Sequence, residues 1–287
     1  MQELVVASES LAAGELTRQD LRRQFVKVHH NVYAPRGMTL TARDRAQAAW
    51  LWSRRKATLA GASAAAMHGA RWLPKDGPAE LTRVRSGAVP GILIHRDTLL
   101  DDEVCLVQSL DCTTAARTAY DLGRRTPGDE AVVRIDALLN ATRAQVSEVL
   151  AISERHPGAR GVHALRKVLD LVDGGAESPQ ESRVRLLLIR KGLPRPVTQI
   201  PIRDANGRVV RRIDMGWPEY CVGVEYDGEQ HWTDPEAHAG DITRLEFLAA
   251  RGWIIIRVSA RHLRYEPDGI AQRAQNALRQ RGWVGAA

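Results

Sequence analysis

The sequence predicts an α/β protein. A domain with a mixed α+β sheet, of order α-β-β-β-α-β-α, is expected at residues 174–287, behind a mainly helical region at 41–173 and a short winged-helix-like segment at 1–40. Three observations predict this. The stretch Asp173-Gly-Gly-Ala-Glu-Ser-Pro179 breaks the pattern on either side of it and reads as a linker. Beyond it, three apolar stretches with period-two alternation follow one helix and precede two more helical segments. Before it, helical spacing dominates and strand-like runs are short.

In chain order, a first helix breaks at Gly14, and Thr17 to Asp20 forms a capping box that opens a basic helix with Leu21 on its buried side. Two short strands follow, Val26–Val28 and Asn31–Tyr33, which is the order of a small winged helix. Its helix carries Arg18, Arg22 and Arg23, the N-terminal candidates for contact with a DNA backbone. The middle region is read as helices at Arg43–Lys56, Ser63–His68, Cys112–Arg125 and Gly128–Leu139, interrupted by strand-like runs at Glu80–Arg85, Gly91–His95 and Val104–Gln108.

In the last region Ser178 is an N-cap, Pro179 stands at the first helical position, and the helix stops at Gly192. Strands are expected at Val197–Arg203, Val209–Met215 and Cys221–Tyr226, with Asn206-Gly207 turning the first hairpin. A helix from about Gly240 to Ala250, a strand at Trp253–Val258 and a final helix from Asp268 to Arg281 complete it.

Composition sets the outer limits. The 287 residues are 44% hydrophobic and 26% charged, long enough for two domains with separate cores. A net charge of +7 favours an anionic partner. No apolar run approaches the length of a membrane span, no export signal is read at Met1-Gln-Glu-Leu4, and Cys105, Cys112 and Cys221 form neither a disulfide framework nor a zinc signature. A cytoplasmic protein without membrane association or organic cofactor is the expectation.

The chemistry concentrates between Arg212 and His231. Val222, Val224 and Tyr226 fall on one strand face and Gly223, Glu225 and Asp227 on the other, so two carboxylates are aimed the same way. A strand-turn-strand path brings Asp214 beside them. Clustered carboxylates at a sheet end suit a hard divalent cation, which points to metal-dependent phosphodiester chemistry. From Ile213 to Glu246 the charges are acidic apart from Arg244, while both flanks are rich in arginine. That pattern suits metal ions in the centre and nucleic-acid phosphates around them.

These residues and the element order resemble the PD-(D/E)XK, or restriction-endonuclease-like, superfamily, and most nearly its Vsr-like domains. The motifs are Glu181, Gly192-Leu-Pro194, Gln199, Arg212-Ile-Asp214, Trp217-Pro218, Val224-Glu-Tyr-Asp-Gly228 with His231, Asp241-Ile-Thr-Arg244, Gly252-Trp253 and Arg257, over residues 176 to 283. The resemblance implies a restriction-endonuclease-like core and a Mg2+-dependent DNA endonuclease, with Mn2+ able to substitute. It implies that Asp214, Glu225 and Glu181 hold the metal and that Glu225 or Asp227 is the second ligand. His231 is then the general base or holds the attacking water, and Gln199, Arg212, Arg244 and Arg257 meet nucleic acid. Two departures stand out. Asp227 occupies the place of the usual lysine, and the zinc cluster of the Vsr mismatch-repair enzyme is missing. The first 120 residues resemble, through the winged-helix pattern, Asn31-Val-Tyr-Ala34 and Ser63-Ala-Ala-Ala-Met-His-Gly69, the N-terminal part of AbiEi-type antitoxins.

Plainer roles stand beside these. Glu181 also fits the reciprocal half of a capping box, Asp241 and Arg244 an i,i+3 pair, and Gln199 a backbone-satisfying role. Trp217 and Trp253 read as core, His68 as helix packing, and Cys221 as a small buried hydrophobe. The leading expectation is a DNA endonuclease in repair or defence. The alternative is a DNA-binding, antitoxin-type regulator whose nuclease-fold domain is inactive. DNA ranks ahead of RNA because no aromatic-rich RNA motif is visible.

Overall fold

The computed structural model describes residues 4–83, 87–228 and 246–285. The chain divides into two units, Met1–Val172 and Asp173–Ala287. Residues 4–40 lie within the first unit.

In the first unit, β1 (Val5–Val6), α1 (Ala7–Ala12), α2 (Arg18–Gln24), β2 (Phe25–His29) and β3 (Val32–Pro35) form an antiparallel sheet of order β1-β3-β2 with two short helices. Thr17 and Asp20 make the expected capping box, and Leu21 is buried. Arg36, just past β3, donates from Nε and Nη2 to the Arg23 and Arg22 carbonyls, tying the sheet to the end of α2. A second capping box, Thr41 with Asp44, opens α3 (Ala42–Trp52). This helix stops short of the predicted Lys56 because Arg54 and Arg55 take left-handed backbone conformations, with φ of 59° at each.

The region from 41 onward is built mostly of helices, and the strand-like runs expected at Glu80–Arg85, Gly91–His95 and Val104–Gln108 fall on strands. It holds a five-stranded mixed sheet of order β6-β5-β4-β8-β7, from β4 (Thr58–Leu59), β5 (Ala79–Thr82), β6 (Ile92–His95), β7 (Val104–Val107) and β8 (Leu110–Thr113). Cys112 belongs to β8, so the helix predicted from Cys112 begins only at Ala115. Each strand has four residues or fewer, too few to show a period against the helices α4 (Gly61–Met67), α5 (Ala115–Arg125), α6 (Asp129–Thr142), α7 (Val146–Arg155) and α8 (Val162–Leu169). Leu59, Leu81 and Cys112 on the sheet pack against Ala46, Ala49 and Met67. Gly61 starts α4 at φ +49°, and a Cβ there would lie 2.2 Å from the Glu80 carboxylate, so only glycine lets Glu80 reach the Ala62 N–H.

The second unit contains α9 (Pro179–Arg190), β9 (Val197–Arg203), β10 (Val209–Trp217), β11 (Val222–Asp227), a helical segment at 246–249, β12 (Ile254–Ser259), α10 (Ala260–Tyr265) and α11 (Pro267–Gln280). α10 is one helix more than predicted. Strand order is β12-β11-β10-β9, with β9, β10 and β11 antiparallel and β12 parallel to β11. One sheet face, with Met215, Val222, Val224, Ile256 and Val258, is covered by Val184 and Leu188 of α9 and Ile270, Ala274 and Leu278 of α11. Ile200, Ile202 and Ile213 cluster separately with Leu248, Phe247, Trp253 and Ile255. Trp217 is core, and its indole N–H donates to the Pro194 carbonyl at 2.9 Å. Cys221 is a correction: it is only partly buried and takes φ 50°, closing the turn before β11. The fold is mixed α/β, and among the described residues no helix is long and apolar enough to cross a membrane.

Candidate functional site

The second sheet is creased where the candidate residues lie. Ile213 and Met215 are two apart on β10 and should share a face, yet Ile213 packs with Ile255 while Met215 packs with Val224 and Ile256. The same change of face occurs on β9, where Gln199 has φ 51°, far outside the extended region. Pairing of Ile213 with Ile200 and of Met215 with Thr198 sets Asp214 opposite Gln199 at this crease. On its other side β10 pairs with β11 only as far as Met215 with Val224. The next step falls on Asp214 and Glu225, and there the Asp214 carboxylate, through Oδ2, accepts the Tyr226 N–H at 2.8 Å in place of a backbone carbonyl. A side chain thus completes the ladder where the strands part.

Glu181 approaches from the first turn of α9. Its N–H donates to Ser178 Oγ at 3.2 Å, as a cap requires. Its carboxylate does not close the reciprocal box on Ser178. It accepts the Glu177 N–H at 2.9 Å and lies 3.5 Å from Gln199 Nε2. Only 8% of Glu181 is exposed. Burial pushes its pKa up to about 7, the Asp214 charge adds to the rise, and the Glu177 N–H opposes it. Glu181, Gln199 and Asp214 therefore form one contiguous group.

Glu225 is buried on β11 and is the cross-strand partner of Arg257 on β12. Two residues on, the Asp227 carboxylate accepts from Arg257 Nη2 at 2.5 Å. Arg212 is exposed on β10. His231, Asp241 and Arg244 lie outside the described residues, as does most of the predicted helix from Gly240.

Among the described residues no group of three or more His, Cys, Asp or Glu side chains is arranged to hold a metal ion. What the site does have is the right donor chemistry in a smaller set. Mg2+ is commonly held by one or two carboxylates and completes its shell with water and substrate oxygens. Glu181 beside Asp214 is such a pair, and a raised carboxyl pKa next to a like charge is what a cation would relieve.

The chain is similar to two curated proteins of Mycobacterium tuberculosis, the uncharacterized protein Rv2248 of strain H37Rv and the uncharacterized protein MT2308 of strain CDC 1551. Each is 31% identical over 195 residues, covering 68% of this chain and 71% of the relative. The chain belongs to their family. No family model matches it, and no solved structure does.

In this chain the N-terminal candidates sit elsewhere, in the first unit. Arg18, Arg22 and Arg23 are exposed on α2, and Arg18 and Arg22 line a groove of about 540 Å³ with Lys27, Arg36, Phe25 and Tyr33. Sequence reading passed over a second polar group altogether. Arg117, 1% exposed, is bonded by its guanidinium to Glu103 and Asp121, which are both fully buried. Arg124 joins Asp121 to Asp97, and His156 reaches Glu103 at 2.7 Å. The spacing of Arg117, Arg124 and Arg125 around Asp121, three or four residues from it, was its local signal.

Proposed function

We propose that the second unit is a divalent-metal-dependent phosphodiesterase of the restriction-endonuclease-like type, acting on DNA. The observation that carries this reading is the buried Glu181, joined to Gln199 at the crease and close enough to Asp214 to feel its charge, with burial raising its pKa to about 7. Glu181 and Asp214 would hold the cation, with Glu225 adjacent on β11. When bound, the cation would supply Lewis-acid stabilisation of phosphate oxygens and a more acidic water. Gln199 steadies the Glu181 carboxylate, and the Tyr226 N–H fixes the rotamer of Asp214. The net charge of +7 favours a polyanionic substrate.

The test is cleavage of supercoiled plasmid and of single-stranded oligonucleotide with Mg2+ or Mn2+, comparing wild type with Asp214→Asn and Glu225→Gln. Loss of several kcal/mol of transition-state stabilisation, about a thousandfold in rate, is expected for Asp214→Asn, with DNA binding largely kept. Equal cleavage by that variant would overturn the site.

A second reading rests on the α2 groove: an antitoxin-type DNA-binding regulator with no turnover. It predicts salt-sensitive DNA binding that persists in chelator and is lost in the triple variant Arg18→Ala/Arg22→Ala/Arg23→Ala.

A further inference from the structure

The strand register brings together two residues that the sequence keeps thirty positions apart. Arg257 lies beside Glu225 across the β11/β12 ladder, and its guanidinium is clamped by Asp227 from the strand that also carries Glu225. The Arg257 side chain is 35% exposed, whereas that of Asp227 is 11% exposed. The carboxylate is thus turned inward onto the arginine, and the arginine reaches solvent. The Arg257 carbonyl in turn accepts from Arg273 Nη1 of α11 at 3.2 Å, so a second cation anchors the same point of β12. A guanidinium fixed on one side by a carboxylate loses little freedom on meeting a phosphate, because its planar fork is already oriented.

We propose that Asp227 is not a metal ligand but the positioning residue of Arg257, holding the guanidinium of that expected nucleic-acid contact toward a substrate phosphate. The inference rests on the phosphodiesterase reading above and gives the site the positive group that its Glu225-Tyr-Asp227 sequence lacks. It separates Asp227 by role from Asp214, whose carboxylate accepts the Tyr226 N–H, because Asp227 serves the arginine.

The experiment uses the full-length chain and three variants, Arg257→Ala, Arg257→Lys and Asp227→Asn, each checked for an unchanged melting transition. Mn2+ binding is followed by calorimetry, duplex DNA binding in chelator as a function of salt, and plasmid cleavage with Mn2+. Arg257→Ala is expected to bind Mn2+ as wild type does, to reduce the slope of log affinity against log salt by about one phosphate contact, and to cut at least about tenfold more slowly. Arg257→Lys should restore the salt slope but only part of the rate, since it keeps the charge without the fork. Asp227→Asn should keep Mn2+ affinity and lower cleavage less than Arg257→Ala does. The inference is overturned if Asp227→Asn loses Mn2+ as Asp214→Asn does, or if Arg257→Ala cuts and binds like wild type while wild type remains an active nuclease. Wild-type protein that neither binds Mn2+ nor cuts DNA overturns the phosphodiesterase reading, and the inference with it.

Discussion

Both units bury charged side chains, and they do so in opposite ways. Around Arg117 the charges alternate in sign: Glu103 and Asp121 flank it, Arg124 follows, then Asp97. Burial alone would raise the Asp97 pKa, but Arg125 and Arg124 hold it below the ordinary carboxylate range. The same balance acts at Glu80, where His95, the Ala62 N–H and Arg125 outweigh burial. At Glu181 the hydrogen-bond donors are neutral, the Glu177 N–H, the Ser178 side chain and the Gln199 amide; burial outweighs them, and the acidic neighbours Asp214 and Glu177 raise its pKa further. A compensated network is what a structural core needs. A buried acid whose pKa is raised by desolvation and by acidic neighbours costs stability once it ionises, and such shifts cluster at functional sites.

The largest expected effect that tests this contrast is Arg117→Ala. It leaves Glu103 and Asp121 buried without their guanidinium and should cost about 3–5 kcal/mol in urea unfolding. A loss below about 1 kcal/mol would show that the network is not the structural element it is taken to be.

Glu181→Gln should act in the opposite direction. A carboxyl whose folded pKa lies above its unfolded value penalises folding as pH rises, because the unfolded chain ionises first. With 4.5 as the ordinary value and about 7 in the fold, the penalty is absent below pH 4.5 and complete above pH 7. The glutamine variant should therefore be more stable than wild type by about 1–3 kcal/mol at pH 8 in chelator, and equal to it near pH 4. Denaturation curves at the two pH values that run parallel would remove the distinction between the two regions.

Smaller effects calibrate the scale. Thr41→Ala removes the cap of α3 and should lower stability by about 1 kcal/mol. Glu9→Gln breaks a 2.6 Å pair with Arg55 in which both side chains are about half exposed, and should change the melting transition by less than about 1 kcal/mol.

Much of the second unit was legible because its signals are local. Ser178, Pro179 and Gly192 mark the ends of α9, and alternation marks β9, β10 and β11. The candidate acids were legible for the same reason, since period two fixes which side Glu225 takes. In the first unit the runs that became β5, β6 and β7 were legible, but β4, with two residues, and β8, read as the start of a helix, were not, nor was the pairing that joins all five. Several partners in its charge network lie far apart, as with Arg117 and Glu103 or Arg155 and Asp102.

By itself the sequence determined the mixed α/β class, the break near Asp173 and the positions of the acids, because caps, turns and side-chain periods depend on neighbours a few residues away. Only the tertiary structure decided what those acids do to one another. It brought Glu181 to Gln199, within reach of the Asp214 charge, at a crease that no pattern announced, and it gave Asp227 to Arg257 through the register of two parallel strands. Electrostatic coupling depends on distance through space, and that distance is set by packing and register, which local sequence does not encode.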